Sequence, residues 1–154
     1  MKIVIMRHGE AETFAQTDAD RALTKFGRSA SKEVAQLCKQ EGVSDFDKVL
    51  VSPYKRAQQT WQELEEVFTA KDLQLCEDIT PYGDSETVVD YLNAMIELEQ
   101  LDSILLVSHL PLVGYLTADL VKDIAPPMFP TSGMVCIEYD TKLQRGEVLW
   151  HLKP

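Results

Sequence analysis

Four short stretches of the chain carry side chains able to do chemistry together: Arg7-His8-Gly9-Glu10, Ser52-Pro53 with Arg56 within a helical turn, Glu77-Asp78, and Ser108-His109. Two guanidiniums and two imidazoles suit a tetrahedral oxyanion, above all a phosphoryl group, because the planar arginine fork grips phosphate oxygens in pairs. Each such charge-assisted hydrogen bond contributes roughly 1.5–3 kcal/mol. The gain grows as charge redistributes in a phosphoryl transition state. An imidazole beside guanidiniums resists protonation, since a like charge would be added. Its free lone pair then suits in-line attack at neutral pH. Metal hydrolysis fits less well, because His8 and His109 lack a compact carboxylate-rich ligand set. Taken singly, each residue has a plainer reading: Arg56 as a solvated helix residue, either histidine as hydrogen-bonded structure. Their joint placement favours chemistry, whereas His151, with no partner, reads as structural.

The placement follows from the elements that the apolar pattern predicts. Strands are expected at Lys2–Met6, Lys48–Val51, Leu73–Cys76 and Ser103–Val107, the last being the most apolar and therefore central. Between them lie helical patterns. One runs from Thr24 to about Gln40 with Phe26, Ala30, Val34, Leu37 and Cys38 inward, ended by Gly42. A second starts at Ser52-Pro53 and turns Ala57, Trp61, Leu64 and Phe68 inward. Ser85 caps a third that buries Val88, Leu92 and Met95, and Pro111 opens a fourth that buries Leu112, Tyr115, Leu116 and Val121. Met134–Tyr139 and Glu147–His151 form a terminal hairpin. Alternating strands and helices predict an α/β fold, a three-layer α/β/α sandwich on a largely parallel central sheet. Such sheets bind ligands outside the carboxyl ends of their strands, where all four stretches fall.

Composition narrows the partners. With 154 residues, 45% hydrophobic and 26% charged, and without repeats or linkers, the chain reads as one globular domain over 1–154. The net charge of −10 opposes phosphate backbones and argues against nucleic acid. No stretch is long and apolar enough for a membrane span or a secretory signal. Cys38, Cys76 and Cys136 are odd in number, widely spaced and without a CxxC pair, and read as reduced thiols. A cytoplasmic location is expected.

The motifs also resemble a known family. IVIMRHGEAE, VLVSPYKRAQQTW and LLVSHLPLVG occur in the order of the signature segments of the histidine phosphatase superfamily, the phosphoglycerate mutase-like group. The whole-chain layout, with RALT at 21–24, TPYGD at 80–84 and PPMF at 126–129, is most similar to its small phosphohistidine phosphatases. The resemblance implies that His8 is a transiently phosphorylated nucleophile and that Arg7, Arg56 and His109 complete the phosphate pocket. Gly9 then packs beneath the site and Arg21 is a further anion contact, with Gln16, Thr17 and Ser52 as loop candidates. The expected partners are a phosphate ion and a phosphohistidine-bearing protein, either a histidine-phosphotransfer domain of a phosphorelay or a phosphotransferase-system carrier. No metal or organic cofactor is expected.

One departure from the family bears on mechanism. Sugar-phosphate members carry a glutamate after the third strand as general acid. Here the nearest equivalents are Glu77 and Asp78 in an imperfect motif, with Glu10 a third candidate for proton transfer. Imidazole leaves more readily than an alkoxide, so a phosphohistidine substrate needs such an acid less. The short segment Thr69 to Leu75 leaves little chain for a lid, and Tyr54, Tyr82, Met128 and Phe129 are candidates for a docking rim. Two alternatives stand beside this reading: a small-molecule phosphomonoesterase, which would need Glu77 or Asp78 as a working acid, and a phosphohistidine-binding module without turnover.

Overall fold

Two runs of four fully buried residues, Ile3–Met6 and Ile104–Val107, can only be strands covered on both faces. The computed structural model, which describes residues 1–154, places them side by side. In chain order the elements are β1 (Lys2–Arg7), α1 (Lys25–Gln40), β2 (Asp45–Phe46), β3 (Lys48–Val51), α2 (Lys55–Leu64), β4 (Thr69–Ala70), β5 (Leu73–Leu75), α3 (Ser85–Glu99), β6 (Ser103–Ser108), α4 (Leu112–Val121), β7 (Met134–Asp140) and β8 (Arg145–Leu152). Six strands form one sheet in the order β5-β3-β6-β1-β7-β8. The first four run parallel, β7 is antiparallel to β1, and β8 closes a hairpin on β7. The small β2–β4 pair, outside the main sheet, is too short to leave a period in the sequence.

The pleat divides the core into two. Ile3, Ile5, Leu50, Ile104 and Leu106 face α3 and α4, while Val4, Met6, Val49, Val51, Leu105 and Val107 face α1 and α2. Consecutive residues therefore leave a strand toward opposite layers, which decides where side chains at the carboxyl ends point. The register pairs Arg7 with Ser108 and Val51 with Val107, so all three central strands run out at the same level.

The helices follow the apolar stripes with local corrections. Thr24 caps α1, its hydroxyl accepting from Gly27 N–H, but Phe26 is exposed and Leu37 only half-buried. At the start of α3 Asp84, not Ser85, is the cap: its carboxylate accepts from the Thr87 amide, the stronger acceptor having taken the position. On α4 Tyr115 is exposed while Leu112, Leu116 and Val121 are buried. The second helix begins at Lys55 rather than at Ser52-Pro53, because the Ser52 hydroxyl is turned to the site and accepts there from Tyr54 N–H at 3.3 Å. All three cysteines are free and buried, and no helix is long and apolar enough to cross a membrane.

Candidate active site

The aligned carboxyl ends of β1, β3 and β6 deliver Arg7-His8, Ser52 and Ser108-His109 to one place, and the first turn of α2 adds Arg56. His8 and His109 lie on the same side of the pleat, and their ring centroids are 5.0 Å apart. The His8 backbone is held from both neighbours: its N–H donates to the Ser108 carbonyl and its carbonyl accepts from Ser132 N–H, each at 3.0 Å. The loop after His8 lies so close to α1 that a Cβ on Gly9 would meet Ser31 Oγ at 2.6 Å and the Gly27 carbonyl at 2.7 Å. Only glycine permits that approach.

The proton on the His8 ring is placed by its partners. Nδ1 lies 2.7 Å from the Gly9 carbonyl, which can only accept, while Arg56 Nε–H, which can only donate, points at Nε2 from 3.3 Å. The ring thus carries its proton on Nδ1 and a lone pair on Nε2. Burial pushes the His8 pKa down to about 4; the Gly9 hydrogen bond works the other way, but the charges of Arg56, Arg7 and Arg21 add to the depression. His109, 1% exposed, is held neutral still more firmly by burial, with His8 and Arg56 adding to it. Its Nε2 is 2.7 Å from Ser52 Oγ, and Tyr54 meets its ring edge-on at 5.1 Å.

Arg56 is 4% exposed and all three of its nitrogens are engaged: Nε on His8, one terminal nitrogen on the Asp18 carbonyl at 2.7 Å, the other on the Asp18 carboxylate at 3.1 Å. Its guanidinium carbon lies 5.1 Å over the Tyr54 ring. Arg7 donates to the Phe129 carbonyl at 2.9 Å, and burial followed by the Arg56 charge lowers its pKa. Two buried nitrogens here, Arg7 Nε and His109 Nδ1, have no protein partner. An unsatisfied buried polar group costs about 1–3 kcal/mol, so a pair of them beside guanidiniums suits an oxyanion that takes hydrogen bonds from both.

The other candidates divide. Ser52 is in the site through His109. Arg21 reaches its edge, donating to the Glu12 carbonyl at 2.7 Å and the Asp18 carboxylate at 3.1 Å. Thr17 bonds Asp20, Glu10 accepts from Thr24, and Gln16 is exposed. Glu77 and Asp78, on the 3-10 turn Glu77–Ile79, are exposed and make no hydrogen bond or ion pair with Arg7, His8, Arg56 or His109. One residue of the site had no signal in the sequence: Asp18 sits in a polar loop with no periodic neighbour. Thr60 lies in the segment VLVSPYKRAQQTW without an assigned role there; its hydroxyl, accepting from Gly9 N–H at 2.9 Å, joins α2 to the loop. Tyr82 and Met128 are 82% exposed, but Phe129 is buried at 2% and does not belong to a rim, because the PPMF turn folds it into the α3–α4 core.

The pattern of the histidine phosphatase superfamily (branch 1) matches residues 3–88, a stretch that holds Arg7, His8 and Arg56. The chain belongs to the histidine phosphatase superfamily. Within that superfamily it is 38% identical to the phosphohistidine phosphatase SixA of Escherichia coli strain K12, over 100% of this chain and 94% of that protein. It is 37% identical to the SixA homolog of Haemophilus influenzae, over 98% and 94%. A solved structure of the protein histidine phosphatase SixA complexed with tungstate superposes with a TM-score of 0.93 at 38% identity, covering 100% of this chain and 97% of that one. The superfamily fold thus extends through the whole chain, including His109 and the C-terminal hairpin beyond the matched segment.

Proposed function

We propose that this protein is a phosphohistidine phosphatase, acting through a phosphorylated His8 on a histidine-phosphotransfer domain or a phosphocarrier protein. The observation that carries the reading is the lone pair of His8 Nε2, set by Gly9 and Arg56, in a site where two further buried nitrogens, Arg7 Nε and His109 Nδ1, have no protein partner. The full-length similarity to phosphohistidine phosphatases supports it. In the first step His8 Nε2 attacks phosphorus in line. The N–P bond of the substrate breaks, and its electron pair goes to the departing imidazole nitrogen, which takes a proton from solvent. In the second step water attacks phospho-His8, the new N–P bond breaks, and inorganic phosphate leaves. Arg7 and Arg56 hold the phosphoryl oxygens throughout, joined by His109 in the tautomer whose Nε2 accepts from the Ser52 hydroxyl and whose Nδ1 carries the proton.

The carboxylates fit this leaving group. Glu77 and Asp78 stand outside the hydrogen-bonded cluster, and Asp18, which is within it, is held ionised between two arginines. An alkoxide would lack a strong acid here, whereas an imidazole leaves without one. The chain also leaves the site uncovered, since only residues 65–72 connect α2 to β5 and β4 takes two of them. Phe14, Tyr82 and Met128, each more than 80% exposed, lie on loops that border the site and form the apolar rim on which a phosphoprotein docks.

Phosphate release by the purified protein in EDTA, from a phosphohistidine-bearing phosphotransfer domain and from small phosphomonoesters, tests the reading. The phosphoprotein is expected to turn over far faster, and His8→Ala should show neither release nor a labelled enzyme. Monoesters hydrolysed as fast as the phosphoprotein would transfer the reading to a phosphomonoesterase. Release that persists in His8→Ala would remove the covalent route.

A further inference from the structure

Arg56 carries five N–H donors, and three of them are already committed in the unliganded site. Two of those go to one residue: Asp18 offers its backbone carbonyl to one terminal nitrogen and its carboxylate to the other. The second carboxylate oxygen of Asp18 takes a hydrogen bond from Arg21 at 3.1 Å, and Arg21 is itself tied to the Glu12 carbonyl. A 3-10 turn, Asp18–Asp20, thereby joins the loop after His8 to the first turn of α2. We propose that Asp18 is a positioning residue for Arg56, holding the guanidinium beside His8 Nε2 so that its two remaining N–H groups stay free for a phosphoryl group, whose arrival takes the Nε–H off the nucleophilic lone pair. This rests on the functional reading above and extends it to a residue that touches neither phosphate nor nucleophile.

Three features favour positioning over anion binding. A carboxylate repels a phosphoryl group, so its presence at the rim of the pocket needs a use that outweighs repulsion. Its partners are arranged like a clamp: both terminal nitrogens of Arg56 are gripped from the side away from His8, while the Tyr54 ring backs the guanidinium. An arginine free to sample its rotamers surrenders about 2 kcal/mol of side-chain entropy on being held, and the clamp removes that cost from the catalytic step. The clamp is also electrostatically self-consistent. Partial desolvation favours protonation of Asp18, but the hydrogen bonds from Arg21 and Arg56, with their charges, outweigh it and hold the carboxyl below its ordinary range.

Asp18→Asn is the test, because it keeps the backbone carbonyl and the size of the side chain but leaves one oxygen where two are used. Three measurements are made on the full chain: the NMR resonance and exchange protection of Arg56 Nε–H, kcat with a phosphohistidine-bearing phosphotransfer domain, and the thermal midpoint. The midpoint is expected to stay within a few degrees, since the Asp18 side chain is 47% exposed. Arg56 Nε–H should lose its protection, and kcat should fall about tenfold, the scale of a modest misplacement of a catalytic group. In a double-mutant cycle with Arg56→Ala the two losses should fail to add, because Asp18 acts through Arg56. An unchanged Arg56 resonance, or losses that add in full, would overturn the proposal. A parent protein inactive on phosphohistidine would instead overturn the functional reading, and the Arg56 resonance would still decide the role of Asp18.

Discussion

At His8 the decisive quantity is where one proton sits and how hard a second is to add. The ordinary histidine pKa of 6.5 falls to about 4 here, chiefly through burial. The unfolded chain therefore binds a proton between those values that the fold refuses. Linkage makes this a stability term: it is fully present above pH 6.5, declines as the pH falls, and is lost by about pH 4. A shift of that size corresponds to about 3 kcal/mol. Ring NMR of selectively labelled histidine should show His8 as the Nδ1–H tautomer and neutral down to about pH 5, titrating near 4. An inflection near 6.5 for this residue would mean a wet, unpaired imidazole and would remove the account of its lone pair. The residues most legible in the sequence were those of this same kind, where Arg-His-Gly and Ser-His abut apolar strands. Asp18 was illegible for a physical reason: its role is created by the meeting of a loop with a helix some forty residues away, and no local spacing encodes that contact.

Strands and helices bring a second charged cluster together at the opposite end of the sheet. Lys48 opens β3 and is 3% exposed, with its ammonium 2.7 Å from Glu99 at the end of α3 and 2.9 Å from Asp72 just before β5. Glu99 is poorly placed with respect to its own helix, whose C-terminus carries partial negative charge, and Lys48 offsets that. The carboxylates are partly exposed and can turn to water, whereas the lysine cannot. Asp72→Asn with Glu99→Gln is therefore expected to cost about 3 kcal/mol, the scale of a stranded buried charge. Lys48→Met should stay within ~1 kcal/mol of the parent, as replacing a buried ion by an apolar chain often does. Urea denaturation separates the two, and equal losses in both variants would contradict the asymmetry. The same strands show how far apolar pattern reaches. It located β1, β3 and β6, because burial on both faces leaves an unbroken apolar run in the interior of each strand, with polar residues only at the ends. It misplaced Phe26 and Tyr115, because a helix stripe wide enough to include them does not reveal which edge faces water.

For the whole molecule the question is how a chain of net charge −10 selects a phosphoryl group carried by another protein. The long-range field gives no attraction to an anion, so selection falls to the guanidiniums inside the pocket and to the surface around it. The proposed docking surface is the sheet end with its exposed Phe14, Tyr82 and Met128, while two larger clefts, of about 640 and 700 Å3, flank Met1 and contain no histidine. Apolar anchors of this kind commonly contribute 1–2 kcal/mol each to an interface. Tyr82→Ala combined with Met128→Ala should thus lower kcat/KM for the phosphoprotein by about tenfold or more relative to that for a small monoester measured on the same preparation. The ratio is the informative quantity, because an altered pocket would depress both substrates together. A double variant whose two activities fall in parallel would place the docking surface elsewhere on the molecule. A ratio that drops while the monoester rate holds would mean that this fold discriminates its substrate by the protein that carries the phosphate, with the pocket reading only the phosphoryl group itself.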